Sequence, residues 1–244
     1  MTTTNSESSR PTTTPARRAL LIGASRGLGL ALAEAWAARG WHVIATVRGS
    51  ARTALHDLAD RHSGRIETET VDITFPDQLD ALHRRLEGRT FDVLFVNAGV
   101  ASRSPEKTIA EVPTAEFVRV MGTNALAPMR TIGALEDLVE PAGTIGVMSS
   151  GQDSVTRNEG GGDELYRGSK AALNTFMRSY AARHRGEQRS LVLMAPGWVR
   201  TDLGGPGARL GIDDSIPGVV ETIDALGHEP GLHYVDYRGQ TVPW

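Results

Sequence analysis

The chain contains no cysteine among its 244 residues, so disulfide bonds, thiolate nucleophiles and cysteine-ligated metal sites are excluded. A reducing compartment fits this composition, and we expect a cytoplasmic protein. No apolar run approaches the roughly 20 residues that span a bilayer, so no membrane association is expected. The net charge is −3 and the basic residues form no block, which argues against a nucleic-acid partner. The seven histidines show no metal-ligand spacing, and we predict no metal site.

Lysine is also scarce. Of the 26 basic residues only Lys107 and Lys170 are lysines, and Lys170 follows Tyr166 by four positions in the stretch YRGSK. Two lysines have to lie somewhere, so chance is one explanation of this position. The other is that the position requires a compact ammonium, for which the flat guanidinium of arginine is no substitute.

The rest of the chain is typical of one globular domain. Residues 1–17 are rich in Thr, Ser and Pro and contain no apolar stretch, so we predict a disordered tail there and a single domain over 18–244. Short runs rich in Val, Ile and Leu then alternate with helical segments. Strands are predicted at 19–22, 41–47, 66–72, 91–96, 143–149, 190–195 and 231–237. Helices are predicted at 27–40, 51–62 and 76–88, within 114–139, and at 164–184 and 215–226.

Buried strands that alternate with helices predict an α/β fold, with a single Rossmann-type doubly wound parallel β-sheet flanked by helices on both faces. We expect the helix within 114–139 to be interrupted or bent near Pro128, and we expect a loop over 195–218, where glycine and proline dominate. In such a sheet, ligands bind beyond the carboxyl ends of the strands.

A glycine-rich turn, GASRGLG, occupies residues 23–29 directly after the first strand. Glycines at Gly23, Gly27 and Gly29 permit a tight turn and let a pyrophosphate approach backbone N–H groups at a helix N-terminus. An ordinary strand-to-helix turn contains glycines too. The position between an apolar strand and a helix favours the phosphate site.

The second strand is followed by Arg48, where an NAD-binding fold commonly has an acidic residue on the ribose. A second arginine, Arg26, lies inside the glycine turn. Together they are suited to a 2′-phosphate, although two solvated arginines would give the same sequence. We therefore predict NADP(H) as the preferred cofactor and NAD(H) as the second choice.

Three further strand ends bear polar or small residues. Asp72 follows the third strand and is suited to accept a hydrogen bond from the adenine amino group, or to cap the helix at Pro76. Residues 97–99, Asn-Ala-Gly, let the chain pass close beneath a cofactor, or form an ordinary turn. After the fifth strand, either Ser149 or Ser150 is expected to project into the ligand cleft.

Tyr166 and Lys170 lie four residues apart and share one face of the predicted helix. A neighbouring ammonium favours the phenolate and lowers the pKa of tyrosine from its usual value near 10. Such a tyrosine exchanges a proton with a substrate oxygen near neutral pH. A solvated helix face is the commoner explanation of an isolated Tyr and Lys at this spacing.

From about residue 17 onward the chain resembles the short-chain dehydrogenase/reductase family. The resemblance depends on motifs that occur in the family's order: GASRGLG, VDIT, NAG, GTNALAP, MSS, YRGSK and APGWVRTDLGG. The stretches YRGSKAALN and PGWVRTDLGGPGA and the terminal VPW further resemble the branch of small carbonyl reductases related to sniffer proteins and the C-factor signalling protein.

The resemblance implies a role for each matching residue. Tyr166 would be the general acid/base, and Lys170 would bind the nicotinamide ribose and lower the pKa of that tyrosine. Ser150, rather than Ser149, would hydrogen-bond the substrate carbonyl, and Asn124 would hold a water of the proton relay. The loop that contacts the nicotinamide carboxamide would contain Pro196, Gly197, Val199 and Thr201. The full set of predicted cofactor-binding residues is Gly23, Ser25, Arg26, Gly27, Leu28, Gly29, Arg48, Asp72, Ile73, Asn97, Ala98, Gly99, Tyr166, Lys170, Pro196, Gly197, Val199 and Thr201.

The chain departs from the family pattern in three places. Ile22 stands where a threonine usually precedes the glycine turn, which removes a hydroxyl contact. Val96 stands where an asparagine often precedes Asn97. The segment between Ser150 and Tyr166 is a few residues longer than usual, and the extra length falls in the polar stretch 156–165.

We therefore expect an NADPH-dependent enzyme that reduces a small carbonyl compound or oxidises the corresponding alcohol. The alternative is a cofactor-binding signalling or sensor protein with little catalysis, and a weaker alternative is a structural subunit with a vestigial site. The family resemblance implies a homodimer or homotetramer, formed through the predicted helices at 114–139 and 164–184.

Overall fold

The computed structural model describes residues 16–244. Residues 1–15 of the predicted tail lie outside the described part of the chain. Arg17 contacts the domain, since its carbonyl oxygen accepts a hydrogen bond from the His42 N–H at 2.9 Å. Its guanidinium forms a 3.0 Å ion pair with Asp224 and lies 3.9 Å from the centre of the Trp41 ring.

The strands of the described residues are β1 (Arg18–Ile22), β2 (His42–Val47), β3 (Ile66–Thr70), β4 (Phe91–Val96), β5 (Val139–Met148), β6 (Ser190–Ala195) and β7 (Gly231–Asp236). They form one sheet in the order β3-β2-β1-β4-β5-β6-β7. Every neighbouring pair is parallel. The strand order reverses between β1 and β4, which makes the ends of these two strands the topological switch point.

The helices are α1 (Gly27–Ala38), α2 (Ala54–Arg61), α3 (Pro76–Leu86), α4 (Thr114–Met121), α5 (Ala127–Leu135), α6 (Glu164–Arg183) and α7 (Ile212–Leu226). Buried residues of α1, α2 and α7 pack on one face of the sheet, and those of α3, α5 and α6 on the other. β1 shows the alternation that this requires: Leu20 and Ile22 belong to one core, and Ala19 and Leu21 to the other. The predicted doubly wound fold is confirmed. No helix within residues 16–244 has the combination of length and apolar character needed to cross a membrane.

The helix predicted within 114–139, interrupted or bent near Pro128, corresponds to α4, α5 and an irregular turn between them. α4 and α5 are joined by a π-helical turn, Gly122–Leu126, which precedes Pro128. In an α-helix the carbonyl of Asn124 would accept the N–H of residue 128, which a proline lacks. This proline-related irregularity lies at a predicted catalytic residue, as π-helical turns often do.

The strand predicted over 143–149 begins earlier, at Val139, which pairs with Phe91. The register of β4 against β5 shifts between Phe91 and Val93. Pro141 lies in this irregular part of the strand, where a missing N–H costs little. The prediction was wrong here because proline and glycine in this stretch are typical of a turn.

The loop predicted over 195–218 is shorter than expected, because α7 begins at Ile212 rather than at 215. The helix start is stabilised by the carboxylate of Asp214, which accepts the N–H of Gly211 at 2.7 Å. Pro217 therefore lies inside the helix, in its second turn, rather than near its start.

Candidate active site

The glycine turn after β1 packs directly on the Asn-Ala-Gly segment after β4. Gly23 has a φ of +91°, and a Cβ atom there would lie 2.8 Å from the Cα of Ala98, which excludes any larger residue. The N–H of Gly23 donates to Thr46 Oγ1 at 2.9 Å, and its carbonyl accepts from Asn97 Nδ2 at 2.6 Å. Two predicted cofactor segments thus meet at the switch point, and Thr46 supplies a hydroxyl to the turn that Ile22 does not.

The positive end of α1 faces this turn. A Cβ atom at Gly29 would lie 2.1 Å from the carbonyl oxygen of Gly23, so the turn and the helix are in direct contact. Arg26 is the N-cap residue, and α1 has neither a side-chain cap there nor an acidic residue in its first turn. Ser25 and Leu28, the other predicted residues of the turn, are half-buried beside it. A helix N-terminus without a carboxylate of its own is suited to bind a pyrophosphate.

Both arginines that we predicted to bind a 2′-phosphate are exposed. Arg48 follows β2 directly. Arg26 forms a 3.0 Å ion pair with Asp202, and both side chains are about three-quarters exposed, at 77% and 75%. Such exposed pairs contribute little free energy, so Asp202 is a weak competitor for a phosphate that binds Arg26.

Asp72 holds the turn after β3. Its Oδ1 accepts hydrogen bonds from the N–H of Thr74 at 3.0 Å and from the Thr74 hydroxyl at 2.7 Å. The N-cap residue of α3 is Phe75, without a side-chain cap, so Asp72 stabilises the turn and does not cap the helix. Its neighbour Ile73 is 5% exposed and its side chain belongs to the core. A ligand could therefore contact Ile73 only through its backbone.

Asn124 is fully buried in the π-helical turn and connects three segments. Its Oδ1 accepts the Val100 N–H at 2.8 Å, and its Nδ2 donates to the Val100 carbonyl at 2.8 Å. Nδ2 also lies 3.0 Å from Ser169 Oγ, which in turn donates to the carbonyl of Tyr166 at 2.7 Å. Asn124 therefore fixes the start of α6 relative to the segment after β4.

Lys170 and Tyr166 lie on the buried side of α6, at 4% and 9% exposure. The Nζ of Lys170 donates a 2.7 Å hydrogen bond to the carbonyl of Met148, at the end of β5. A Cβ atom at Gly99 would lie 3.5 Å from this Nζ and 3.3 Å from Asn124 Oδ1. The ammonium is thus placed between the carboxyl ends of β4 and β5, next to the switch point.

The two serines after β5 have different environments. Ser149 is 2% exposed, and its hydroxyl donates to Asn174 Oδ1 on α6 at 2.7 Å. Ser150 is half-buried; its Oγ accepts the Gln152 N–H at 3.0 Å, and its carbonyl accepts the Tyr234 hydroxyl at 2.8 Å. Ser150 is therefore the serine that the fold leaves nearer to solvent, and its role at the substrate stays a prediction.

The predicted carboxamide loop follows β6. The carbonyl of Pro196 accepts the Ser215 hydroxyl at 2.6 Å, which ties the loop to α7. Gly197 has a φ of +83°, and a Cβ atom there would lie 2.5 Å from Leu210 Cδ1. Val199 is buried and forms a parallel bridge with Leu210.

The end of this loop reaches the glycine turn. Thr201 Cγ2 lies 3.6 Å from the position of a Cβ atom at Gly27, and Thr201 Oγ1 accepts the Gly204 N–H at 3.0 Å. The next residue, Asp202, forms the ion pair with Arg26 described above. The loops after β1 and β6 therefore face each other across the carboxyl edge of the sheet.

The extra stretch 156–165 is an exposed loop up to Gly162 and joins α6 at Asp163. Asp163 has a φ of +43°, and its N–H donates to the carbonyl of Pro105 at 3.2 Å. Burial raises the pKa of the Asp163 carboxyl, with Arg167 acting in the opposite direction.

A buried carboxylate holds the segment after the Asn-Ala-Gly turn. Glu116 is 9% exposed and pairs with Arg119 at 2.7 Å, while its Oε1 accepts the Arg103 N–H at 2.8 Å. Arg119 also donates to the carbonyl of Ala101 at 2.8 Å. The hydrogen bond from Arg119 is the main cause that lowers the pKa of Glu116 to about 2.

A model of the short chain dehydrogenase family matches residues 17–208, which include the glycine turn, the Tyr166–Lys170 pair and the loop after β6. The chain belongs to this family. A solved short-chain dehydrogenase/reductase from Burkholderia multivorans, with bound NADP, is 57% identical and superposes with a TM-score of 0.93 over 94% of this chain and 100% of its own.

Two further relatives of this short-chain dehydrogenase lie in the branch indicated by the sequence. The Sniffer carbonyl reductase of Drosophila melanogaster is 31% identical, with a TM-score of 0.86 over 94% of this chain and 100% of its own. The C-signal protein of Myxococcus xanthus is 38% identical over 155 residues, which are 63% of this chain and 92% of that protein.

Three polar residues of this short-chain dehydrogenase were not singled out from the sequence. Thr46 bonds the glycine turn, Ser169 bonds Asn124, and Tyr234 bonds the carbonyl of Ser150. A threonine within the apolar run of β2 and a small hydroxyl residue between Tyr166 and Lys170 are signals that could have indicated the first two. Nothing near Tyr234 in the sequence points to Ser150.

Proposed function

We propose that this short-chain dehydrogenase is an NADPH-dependent carbonyl reductase. It would reduce an aldehyde or ketone by hydride transfer, or oxidise the corresponding alcohol in the reverse direction. The substrate would be a small and largely neutral molecule. The family membership, the NADP bound to the Burkholderia relative and the reductase activity named for Sniffer support this proposal.

The carboxyl edge of the sheet fits a dinucleotide. The uncapped positive end of α1 and the close-packed Gly23 and Gly29 suit a pyrophosphate. Arg26 and Arg48 suit a 2′-phosphate, and the residues directly after β2 include no acid that would bind a free ribose hydroxyl. Asp72 and the segment 97–99 would contact the adenine and ribose side.

When bound, NADPH supplies the hydride, and the protein supplies orientation and proton transfer. The loop of Pro196, Gly197, Val199 and Thr201 would orient the nicotinamide carboxamide. The ammonium of Lys170 would hold the adjacent ribose hydroxyls, for which its three donors on a flexible stem are suited.

Tyr166 would donate the proton that the carbonyl oxygen takes up on reduction. The Lys170 ammonium, one helical turn further along α6, would stabilise the phenolate that remains. Ser150 would donate a hydrogen bond to the same carbonyl oxygen and hold it toward Tyr166.

Asn124 would supply the water of the proton relay through its backbone. Its side-chain amide is engaged with Val100 and Ser169. Its backbone carbonyl receives no α-helical hydrogen bond from residue 128, because Pro128 has no N–H. A water bound to this carbonyl would replace the proton that Tyr166 gives to the substrate.

A continuous series of contacts from the glycine turn to Lys170 is the observation on which this proposal depends. Gly23 packs on Ala98, and the next residue, Gly99, has its Cβ position 3.5 Å from Lys170 Nζ. A nicotinamide bound beyond the glycine turn would therefore lie beside the Tyr166–Lys170 pair.

A panel of aldehydes, ketones and quinones tests the proposal, with NADPH and NADH oxidation followed side by side. We expect turnover of at least one compound and a lower KM for NADPH than for NADH.

The 38% identity to the C-signal protein favours a second candidate, a cofactor-binding signalling protein. Tight NADPH binding without turnover of any compound would support that candidate instead.

We further propose that the protein is cytoplasmic and forms a homodimer or homotetramer through α4 and α6. Phe117 and Val118 on α4 and Phe176 on α6 are between 42% and 62% exposed, which is unusual for large apolar side chains. Light scattering after size exclusion measures the mass, and Phe176→Glu should shift it toward that of one chain.

A further inference from the structure

We infer that Tyr234 and Trp244 are positioning residues that hold Ser150 for its hydrogen bond to the substrate carbonyl. The inference rests on the proposed function, because it assigns these two residues a part in the same reaction. It concerns the far edge of the sheet, since Tyr234 lies on β7, two strands away from β5.

Tyr234 reaches the residue that follows β5 through its side chain. The ring is 3% exposed, and its hydroxyl donates a 2.8 Å hydrogen bond to the carbonyl of Ser150. On the other side of the same residue, Ser150 Oγ accepts the Gln152 N–H at 3.0 Å. The backbone and the side chain of Ser150 are thus each fixed by a separate donor.

Trp244 holds Tyr234 in place. Thr241 bridges antiparallel to Val235, and Val242 donates its N–H to the Tyr234 carbonyl at 2.8 Å. The segment that ends in Trp244 therefore folds back along β7. The Trp244 ring lies 5.2 Å from the Tyr234 ring, at a tilt of 49°.

Trp244 also contacts α6 and the loop that follows Ser150. The guanidinium of Arg178, on α6, lies 4.3 Å from the centre of the Trp244 ring. The backbone oxygen of Trp244 accepts the Thr156 N–H at 3.0 Å and also the Thr156 hydroxyl. Trp244 therefore connects the C-terminal half of α6 with Thr156, in the loop that follows Ser150.

These contacts restrict the movement of Ser150. Ser150 lies just beyond the end of β5, where backbone segments are more mobile than inside the sheet. A hydrogen bond to a reacting carbonyl requires the donor to be held within about 0.5 Å of its productive position. Tyr234 supplies this restraint from a buried position, and Trp244, which is 36% exposed, packs against it.

The substitution Tyr234→Phe removes the hydroxyl and keeps the ring that packs on Trp244. With menadione and 4-nitrobenzaldehyde as carbonyl probes, we expect kcat/KM to fall about 5- to 50-fold, since a displacement of 1 Å costs roughly 100-fold. The Kd of NADPH should stay within about twofold, because the glycine turn and Lys170 are not affected. Trp244→Ala should act in the same direction.

Tyr237→Phe is the matched control: its hydroxyl bonds only Arg238 in the contacts described, and no loss is expected.

A double-mutant cycle separates positioning from a general structural role. In a Ser150→Ala background, Tyr234→Phe should have no further effect on kcat/KM, because Tyr234 acts through Ser150. Losses that multiply in the double variant would overturn the inference.

Hydrogen–deuterium exchange of the NADPH complex supplies a readout that does not require turnover. Tyr234→Phe should speed exchange of the amides of residues 150–156 and leave exchange in β5, which ends at Met148, unchanged. Unchanged exchange of the amides of residues 150–156 would also overturn the inference. If Tyr166→Phe retained full turnover, the proposed function would fail, while the exchange experiment would still test whether Tyr234 holds Ser150.

Discussion

The Nζ of Lys170 donates a 2.7 Å hydrogen bond to the carbonyl of Met148, the last residue of β5. This contact places a buried ammonium at the carboxyl edge of the sheet, between Gly99 and the two serines that follow Met148. A lysine at position 170 of this arginine-rich chain has a physical explanation here, because the space beside Gly99 accommodates a compact cation.

Replacement of Lys170 by arginine keeps the charge and should still abolish most activity. The bulkier, planar guanidinium does not fit between Met148 and Gly99, so kcat/KM should fall by about 100-fold or more. The chain offers a matched control in its other lysine, since Lys107→Arg lies in a surface segment and should behave like the wild type. Equal activities for the two variants would show that position 170 requires only a positive charge.

Arg48→Gln should weaken NADPH binding selectively. Loss of one charge-assisted hydrogen bond to a 2′-phosphate should raise the Kd of NADPH about tenfold and leave that of NADH within about twofold. Titration of cofactor fluorescence measures both constants. Arg52→Gln, four residues further along and paired with Asp57 and Asp60, is the control for loss of a surface charge. A loss of affinity of the same size for both cofactors would mean that Arg48 does not bind the 2′-phosphate.

Glu116 should stabilise the fold in a pH-dependent manner. Its pKa is lowered to about 2 in the folded protein, against about 4.3 in an unfolded chain. A carboxyl group with a lowered pKa contributes its full stabilisation when the pH is above its pKa in the unfolded chain. The contribution disappears as the pH falls toward 2. At pH 7, Glu116→Gln should therefore reduce the free energy of unfolding by about 1–2 kcal/mol.

Urea unfolding of the wild type and of Glu116→Gln, compared between pH 7 and pH 2.5, checks this prediction. The difference between the two proteins should shrink over that range. The exposed Glu106→Gln variant should show no difference at either pH. A gap that stays constant with pH would mean that the carboxylate charge of Glu116 contributes nothing.

The sequence was sufficient for the architecture because its signals are local. Each strand is a short apolar run with a helix after it, and residues beyond strand ends, such as Gly23, Gly99 and Ser150, are brought to one edge by the topology alone. The Tyr166–Lys170 pair needed only the periodicity of a helix. The structure places all of these residues at the carboxyl edge, and their chemical roles remain our proposal.

The supporting contacts were not predictable, because they join residues that are distant in sequence. Tyr234 and Ser150 are 84 positions apart, and Asn124 and Ser169 are 45 apart. The early start of β5, at Val139 rather than at 143, was missed for a similar reason. The pairing of Val139 with Phe91 in the sheet overrides the local preference of that segment.

The central claim is that the Tyr166 hydroxyl transfers the proton while NADPH is held by other groups. Tyr166→Phe removes that hydroxyl and keeps the ring. The decisive measurement is kcat for the best carbonyl compound of the panel together with the Kd of NADPH, in this variant and in the wild type. We predict that kcat falls by about 100- to 10,000-fold and that the Kd stays within about twofold. Wild-type kcat in Tyr166→Phe would contradict the account.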